Sequence, residues 1–146
     1  MAGISTSIVM KAQKNKLPHA CPKCEATDSP FAPTEHEVVQ EFRGDTLKVQ
    51  APLMACRNCG FEILSEGQLD ELARRTREAY RKRHNLLTPP QIRAGREKLG
   101  MTQEEFAKHL AVGPASVKRW EAGAVQEKNN DQRMREKINE DAPPLP

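Results

Sequence analysis

Residues 101–123 read MTQEEFAKHLAVGPASVKRWEAG, and the order of caps, apolar positions and breakers in this stretch decides the fold of the C-terminal part of the chain. Thr102 with Glu105 three residues on is a capping box, in which the hydroxyl accepts from the backbone of the first helical turn and the carboxylate reaches back to the cap. Phe106 and Leu110 then share one helical face, and Ala107 is small enough for a second helix to cross closely. Val112-Gly113-Pro114 turns the chain. Pro114 suits the first position of a further helix, Ala115 to Ala122, because an N–H is not needed there; Val117 and Trp120 face inward, and Gly123 ends the helix. With a preceding helix over Gln91 to Leu99, this is a helix-turn-helix arrangement. Any small helical bundle shares the helix count, but the order of residue types points to the DNA-binding kind.

Upstream, Thr88-Pro89-Pro90 marks a break, since proline excludes the residue before it from a helix and opens a new one at its first turn. Before the break, from Ser65 to His84, Leu69, Leu72, Ala73, Thr76 and Tyr80 form one helical stripe, and Arg74, Arg75, Arg77, Arg81 and Lys82 lie off it. Ser65 and Gln68 make the capping box of this helix. Further upstream the period changes to two: Leu47, Val49, Ala51 and Leu53 alternate with Lys48, Gln50 and Pro52, and Pro52 suggests an edge. Val38–Phe42 and Leu47–Leu53, joined by Arg43-Gly44-Asp45-Thr46, read as a β-hairpin.

The hairpin lies between two cysteine pairs, Cys21-Pro22-Lys23-Cys24 and Cys56-Arg57-Asn58-Cys59-Gly60. Two residues between cysteines let a tight turn aim both thiolates at one point, and two such turns supply four sulfurs tetrahedrally at about 2.3 Å. Gly60 fits the positive φ needed by a chain leaving such a turn. The 31 residues between the pairs exceed the usual ribbon spacing, and a hairpin folded out of that insert brings its ends back together. Cys21, Cys24, Cys56 and Cys59 are therefore read as ligands of one structural Zn2+. Iron in a rubredoxin-like site is the alternative and would make the protein an electron carrier. Two disulfides are disfavoured in a reducing compartment, and a lone redox dithiol leaves the second pair unexplained. His19 and His36 are read as surface histidines.

The chain has 146 residues and 16.4 kDa, with 37% hydrophobic and 29% charged residues and only one Trp, one Tyr and four Phe, which favours two small cores over one large one. Cores of that size often need a metal to be stable. The longest apolar run is four residues, so no membrane span is expected. The only apolar cluster near the N-terminus, Ile8-Val9-Met10, precedes its lysines, the reverse of a secretory signal, so a cytoplasmic location is expected. Residues 67–87 carry 6 basic against 3 acidic side chains, and the flanking parts are nearly balanced. The cluster from Arg74 to Arg83 is open to two readings, a solvated helix face or a surface for phosphate or a protein partner. No nucleophile–base set, paired acids or phosphate loop is apparent, so the chain is not expected to be an enzyme.

The expected fold class is α+β: a small N-terminal zinc-bound β-hairpin module, a connecting helix and an all-α helix-turn-helix domain. The expected division is a flexible arm over 1–18, a zinc-binding domain over 19–66, a basic connecting helix over 67–87, the helix-turn-helix domain over 88–140 and a disordered tail over 141–146.

Residues 101–123 resemble the Xre/Cro-type repressor family. The resemblance implies that Gln103 meets phosphate at the start of its helix and that the next helix lies in the major groove of double-stranded DNA, with Ser116 and Arg119 as base readers and Lys118 beside phosphate. It also implies a structural ion pair between Arg96 and Glu121. The whole combination, on Cys21 to Cys24, Glu41-Phe42-Arg43-Gly44, Cys56 to Gly60 and Met101 to Gly123, resembles the MqsA family of type II antitoxins over about residues 19–128. That family implies a bacterial cytoplasmic protein that neutralises a ribonuclease toxin through its zinc domain, forms a homodimer and represses its own operon. The sequence departs from the Xre/Cro-type family at Ala111, where the turn often has Gly, and from the antitoxin family at the DNA-facing Ala115, where that family's best-matching member has a base-reading Asn. A third departure is the segment after Gly123, where Met134 and Ile138 are the only large apolar residues of 131–139. A stand-alone zinc-containing regulator without a toxin is the alternative within DNA binding.

Overall fold

The computed structural model describes residues 10–11 and 17–140. The arm expected over 1–18 lies largely outside these residues, as does the tail expected over 141–146. The chain divides into two compact units, one up to Ala79 and the other from Tyr80 onward.

The first unit is built on a long hairpin, β2 (Phe31–Phe42) and β3 (Asp45–Cys56). Its turn is the two-residue Arg43-Gly44, with φ of 50° and 84°, the left-handed pair that matches the twist of a tight hairpin. Both strands are longer than the sequence pattern indicates, pairing from Phe42 opposite Asp45 to Phe31 opposite Cys56. At about 3.4 Å per residue this ladder is roughly 40 Å long, and it returns the chain to the second cysteine pair in fixed register. In β3 the alternation holds, with Leu47, Val49, Ala51 and Leu53 buried while Lys48 and Gln50 are exposed. A short strand β4 (Glu62–Leu64) pairs with Met54 and Ala55 on the other side of β3, so Pro52 sits where β2 alone flanks the strand and its missing N–H costs no ladder bond. The sheet order is β1-β4-β3-β2. Here β1 is Met10–Lys11, residues read from sequence as part of the flexible arm. They pair in parallel with Ile63 and Leu64 and cover what would otherwise be the open edge of β4.

Helix α1 (Glu66–His84) starts at the expected capping box, in which the Gln68 N–H donates to Ser65 Oγ at 3.2 Å and the Ser65 N–H to Gln68 Oε1 at 3.0 Å. Arg75 ties it to the hairpin through the Glu35 carboxylate and the Gln50 carbonyl. Two stripe assignments are corrected. Ala73 is exposed, the buried positions at this level being Leu72 and Thr76, and Arg81 is 4% exposed. Thr76 tolerates burial because its hydroxyl donates back to the Leu72 carbonyl at 2.7 Å. Arg81 tolerates it because its guanidinium donates to the carbonyls of Gly123 and Ala124.

The second unit comprises the end of α1, then α2 (Pro89–Lys98), α3 (Gln103–His109), α4 (Ser116–Glu121) and α5 (Lys128–Glu140). Its core is Ile92, Phe106, Ala107, Leu110, Val117, Trp120 and Met134, with Leu87 and Ile138 packed against it. Helix α2 begins two residues earlier than expected, at Pro89, because Thr88 and Gln91 form a capping box that makes both prolines first-turn residues. Helix α4 is shorter than expected. Pro114 lies in the preceding turn, Ala115 caps the helix without a side-chain bond, and Gly123 at φ 123° ends it as expected. Gly95 on α2 lets α5 approach closely; a Cβ there would clash with the Ile138 side chain. The apolar positions of α5 are thus used inside the unit. Its outward residues, Lys128, Asn129, Gln132, Arg133 and Glu136, are polar and exposed.

Between α3 and α4 the chain leaves its helix through Ala111 at φ 56°. The Ala111 N–H donates to Lys108 O and the Val112 N–H to Ala107 O, the double bond pattern that usually has glycine at this place. An alanine held left-handed costs about 1–2 kcal/mol. Ala111→Gly regains that and loses about 0.5–1 kcal/mol to the freer unfolded chain. The substitution is expected to stabilise the second unit by up to about 1.5 kcal/mol, measured as a higher urea midpoint at unchanged slope.

Candidate functional site

The two cysteine turns are built alike. The Glu25 N–H donates to Cys21 O and the Gly60 N–H to Cys56 O, while the Cys21 N–H donates to Ala26 O and the Cys56 N–H to Phe61 O, all at 2.8–2.9 Å. Glu25 at φ 60° therefore occupies the backbone position that Gly60 takes at φ 77°, and only the second turn announces itself by glycine. The turns meet so that Cys21 Sγ lies 3.6 Å from Cys59 Sγ and Cys24 Sγ 3.7 Å from Cys56 Sγ, with all four sulfurs within 4.8 Å of one another. Four thiolates at about 2.3 Å from a central ion would be separated by about 3.8 Å, whereas a disulfide needs about 2.05 Å. The four cysteines are free and positioned to bind a metal ion.

Cys21 and Cys56 are buried with Phe31 and Ile63, and Leu17, Met54 and Phe61 pack around them, so the centre has an apolar wall. Neither expected surface histidine joins it: His19 is exposed, and His36 Nδ1 is 3.2 Å from Glu62. The charge balance of the sulfurs is uneven. Asn58 and the Ala26 backbone draw the Cys24 thiol down to about 6. At Cys59 the Phe61 backbone also lowers it, but desolvation and the other three sulfurs outweigh this and push it up to about 12. Four adjacent sulfurs cannot all ionise without a cation between them, the condition that a divalent ion removes. Four cysteines fill a tetrahedral shell and leave no place for water or substrate.

In the second unit Val117 and Trp120 anchor α4 from inside, and Arg96 locks its far end. The Arg96 guanidinium donates to Glu121 at 2.6 Å from Nε and to the Met101 carbonyl at 2.8 Å, and the Gln103 amide also donates to Glu121. Burial alone would raise the Glu121 carboxyl, but Arg96 and Gln103 outweigh it and hold the group below the usual carboxylate range. The Arg81 bonds to Gly123 and Ala124 hold the chain that leaves α4.

This fixes what α4 shows to solvent. Ala115, Lys118, Arg119 and Ala122 are exposed and, at spacings of three and four, form one face. Ser116 is not part of it. Expected on the outward face as a base reader, it is 8% exposed, because the helix phase set by Val117 and Trp120 turns it toward Gly113. Gln103 stands at the start of α3 as expected, with its amide engaged by Glu121. Of the basic cluster, Arg74 pairs with Glu71 and Glu78, Arg75 with Glu35 and Glu71, and Arg81 is buried. Sequence reading missed Arg81 and the Gln103–Glu121 bond, since each joins residues 18 or more apart without a local pattern.

Among the described residues no helix is long and apolar enough to cross a membrane. No curated protein matches the chain. Residues 92–129, which include the exposed face of α4 and the Arg96–Glu121 lock, match the family described as Helix-turn-helix, so the second unit carries a helix-turn-helix domain of the DNA-binding, transcription-regulator kind.

Proposed function

We propose that the protein is a cytoplasmic antitoxin and autorepressor: the second unit binds its own operator sequence-specifically, and the first, folded around one structural Zn2+ on Cys21, Cys24, Cys56 and Cys59, binds and neutralises a ribonuclease toxin. The observation that carries the DNA-binding part is the rigidly held, basic outer face of α4 within the matched helix-turn-helix segment. The toxin part is supported by the succession of a four-cysteine unit and a helix-turn-helix unit in one chain, together with the family-like strings around the cysteines and Arg43-Gly44. When bound, the ion supplies charge neutralisation and a cross-link between the two turns, and no catalysis. The outward polarity of α5 gives no support to a dimer through that helix.

The test is to express the product of the adjacent reading frame alone and with this chain. Growth arrest and RNA cleavage that the full chain relieves are expected. A neighbour that does neither leaves the protein as a stand-alone zinc-containing regulator.

On DNA, Arg119 and Lys118 are expected to differ in kind. Arg119→Ala should cost about 1–3 kcal/mol and relax preference at one base pair, while Lys118→Ala should weaken all sequences alike and reduce the salt slope by about one contact. Titrations against promoter and scrambled duplexes at two salt concentrations check this. Equal losses on both duplexes for Arg119→Ala would remove that residue from base reading.

A further inference from the structure

The outward side chains of α4 and the turn before it contain hydrogen-bond donors and methyl groups but no acceptor. Pro114, Ala115, Lys118, Arg119 and Ala122 are exposed. The acceptors of the same stretch are withdrawn: Ser116 is buried, and the Glu121 carboxylate, 7% exposed, is held by Arg96 and Gln103.

The major-groove edges of the four bases differ in what they require. Adenine presents an N7 acceptor beside an amino donor and cytosine an amino donor alone, so each has an amino group that needs an acceptor on the protein, whereas guanine presents two acceptors and thymine an acceptor and a methyl. A face without acceptors cannot satisfy the amino group of adenine or cytosine. The guanidinium of Arg119 suits guanine O6 and N7 together, and the Ala115 methyl suits the thymine methyl. Ala115 lies one helical turn before Arg119, about 6 Å along the axis, which corresponds to one or two base pairs.

We propose that α4 reads keto bases only, with Arg119 on a guanine and Ala115 on the methyl of a thymine one or two steps away. This rests on the DNA-binding reading above and specifies its ligand.

The test uses the full-length, zinc-loaded chain and a pool of random duplexes. Repeated selection should enrich sites that contain a guanine and a thymine one or two steps apart on the contacted strand. In the selected duplex, 7-deazaguanine in place of that guanine should weaken binding about tenfold, and deoxyuridine in place of the thymine, which removes only the methyl, about fourfold. Each penalty should disappear in the matching variant: the first in Arg119→Ala and the second in Ala115→Gly, a cap position at which glycine is tolerated. Arg119→Gln, which adds an acceptor, should shift the selected guanine to adenine. A duplex that binds tightly but is indifferent to both base analogues, or a selected site with adenine or cytosine at these positions of the contacted strand, overturns the proposal and leaves DNA binding standing. Failure to enrich any duplex overturns both.

Discussion

Replacing Cys24 or Cys59 by serine is expected to abolish amide-exchange protection throughout residues 31–64 and to leave residues 92–123 as well protected as before. A structural zinc site contributes about 10–16 kcal/mol of coupled folding energy, while whole domains are stable by only about 5–15 kcal/mol. The first unit is small, and the cysteines themselves provide much of the core around Phe31 and Ile63, so loss of the ion exceeds the margin that remains. The second unit has its own core, from Ile92 to Met134, with no cysteine in it. A chelator should reproduce the exchange pattern in the unsubstituted chain, and added Zn2+ should reverse it. Loss of protection at 92–123 would show that the chain folds as one unit. A red colour in the protein as purified would replace zinc by iron.

The second large effect is expected at Glu121. Glu121→Gln leaves the Arg96 guanidinium, 11% exposed, with only the exposed Glu97 carboxylate at 4.0 Å, and removing the close partner of a buried pair costs about 3–5 kcal/mol. For a small domain that is a large share of its stability. Trp120, the one tryptophan of the chain, is 7% exposed beside Glu121 in sequence, so its fluorescence follows unfolding of this unit alone. The substitution should also change the acid limb. The folded Glu121 carboxyl lies below its unfolded value, so its contribution is present above the unfolded pKa and lost as pH falls through the folded one. The parent should therefore lose stability in acid more steeply than the variant. Glu71, which Arg74 and then Arg75 lower to about 2, loses its contribution in the same direction, but it lies in the first unit, half-exposed, and should not move the Trp120 signal. An unchanged urea midpoint for Glu121→Gln would mean that the pair is not a lock.

What the sequence made legible was whatever a few neighbouring residues decide. The capping boxes at Ser65 and Thr102, the end of α4 at Gly123 and the alternation of β3 all follow from local chemistry, and the structure has each of them. The meeting of four cysteines was legible because each pair forms a self-contained turn. Strand β2 was only half legible: Thr34, Glu35 and Glu37 are exposed and polar, and nothing but pairing with β3 makes that stretch extended. The inward turn of Ser116 depends on the helix phase fixed by Trp120, and the burial of Arg81 on carbonyls more than 40 residues away. Both are tertiary facts. Glu25 hid its left-handed backbone because the residue type gives no sign of it.

The Arg43-Gly44 turn also sets an order of events in time. Joining the two cysteine pairs directly would require closing a loop of 31 residues, whose entropic cost grows with the logarithm of its length. With only two residues in the turn the strand ends start side by side, and hairpins form in about 1–10 μs. Zipping outward from Phe42 and Asp45, each added pair closes only a minimal further loop, until Phe31 meets Cys56 and the second cysteine turn arrives beside the first. The metal-free unit visits this zipped form only transiently, so the ion captures a small gathered fraction, and the rate of loading follows how often the hairpin closes rather than a search of the open loop.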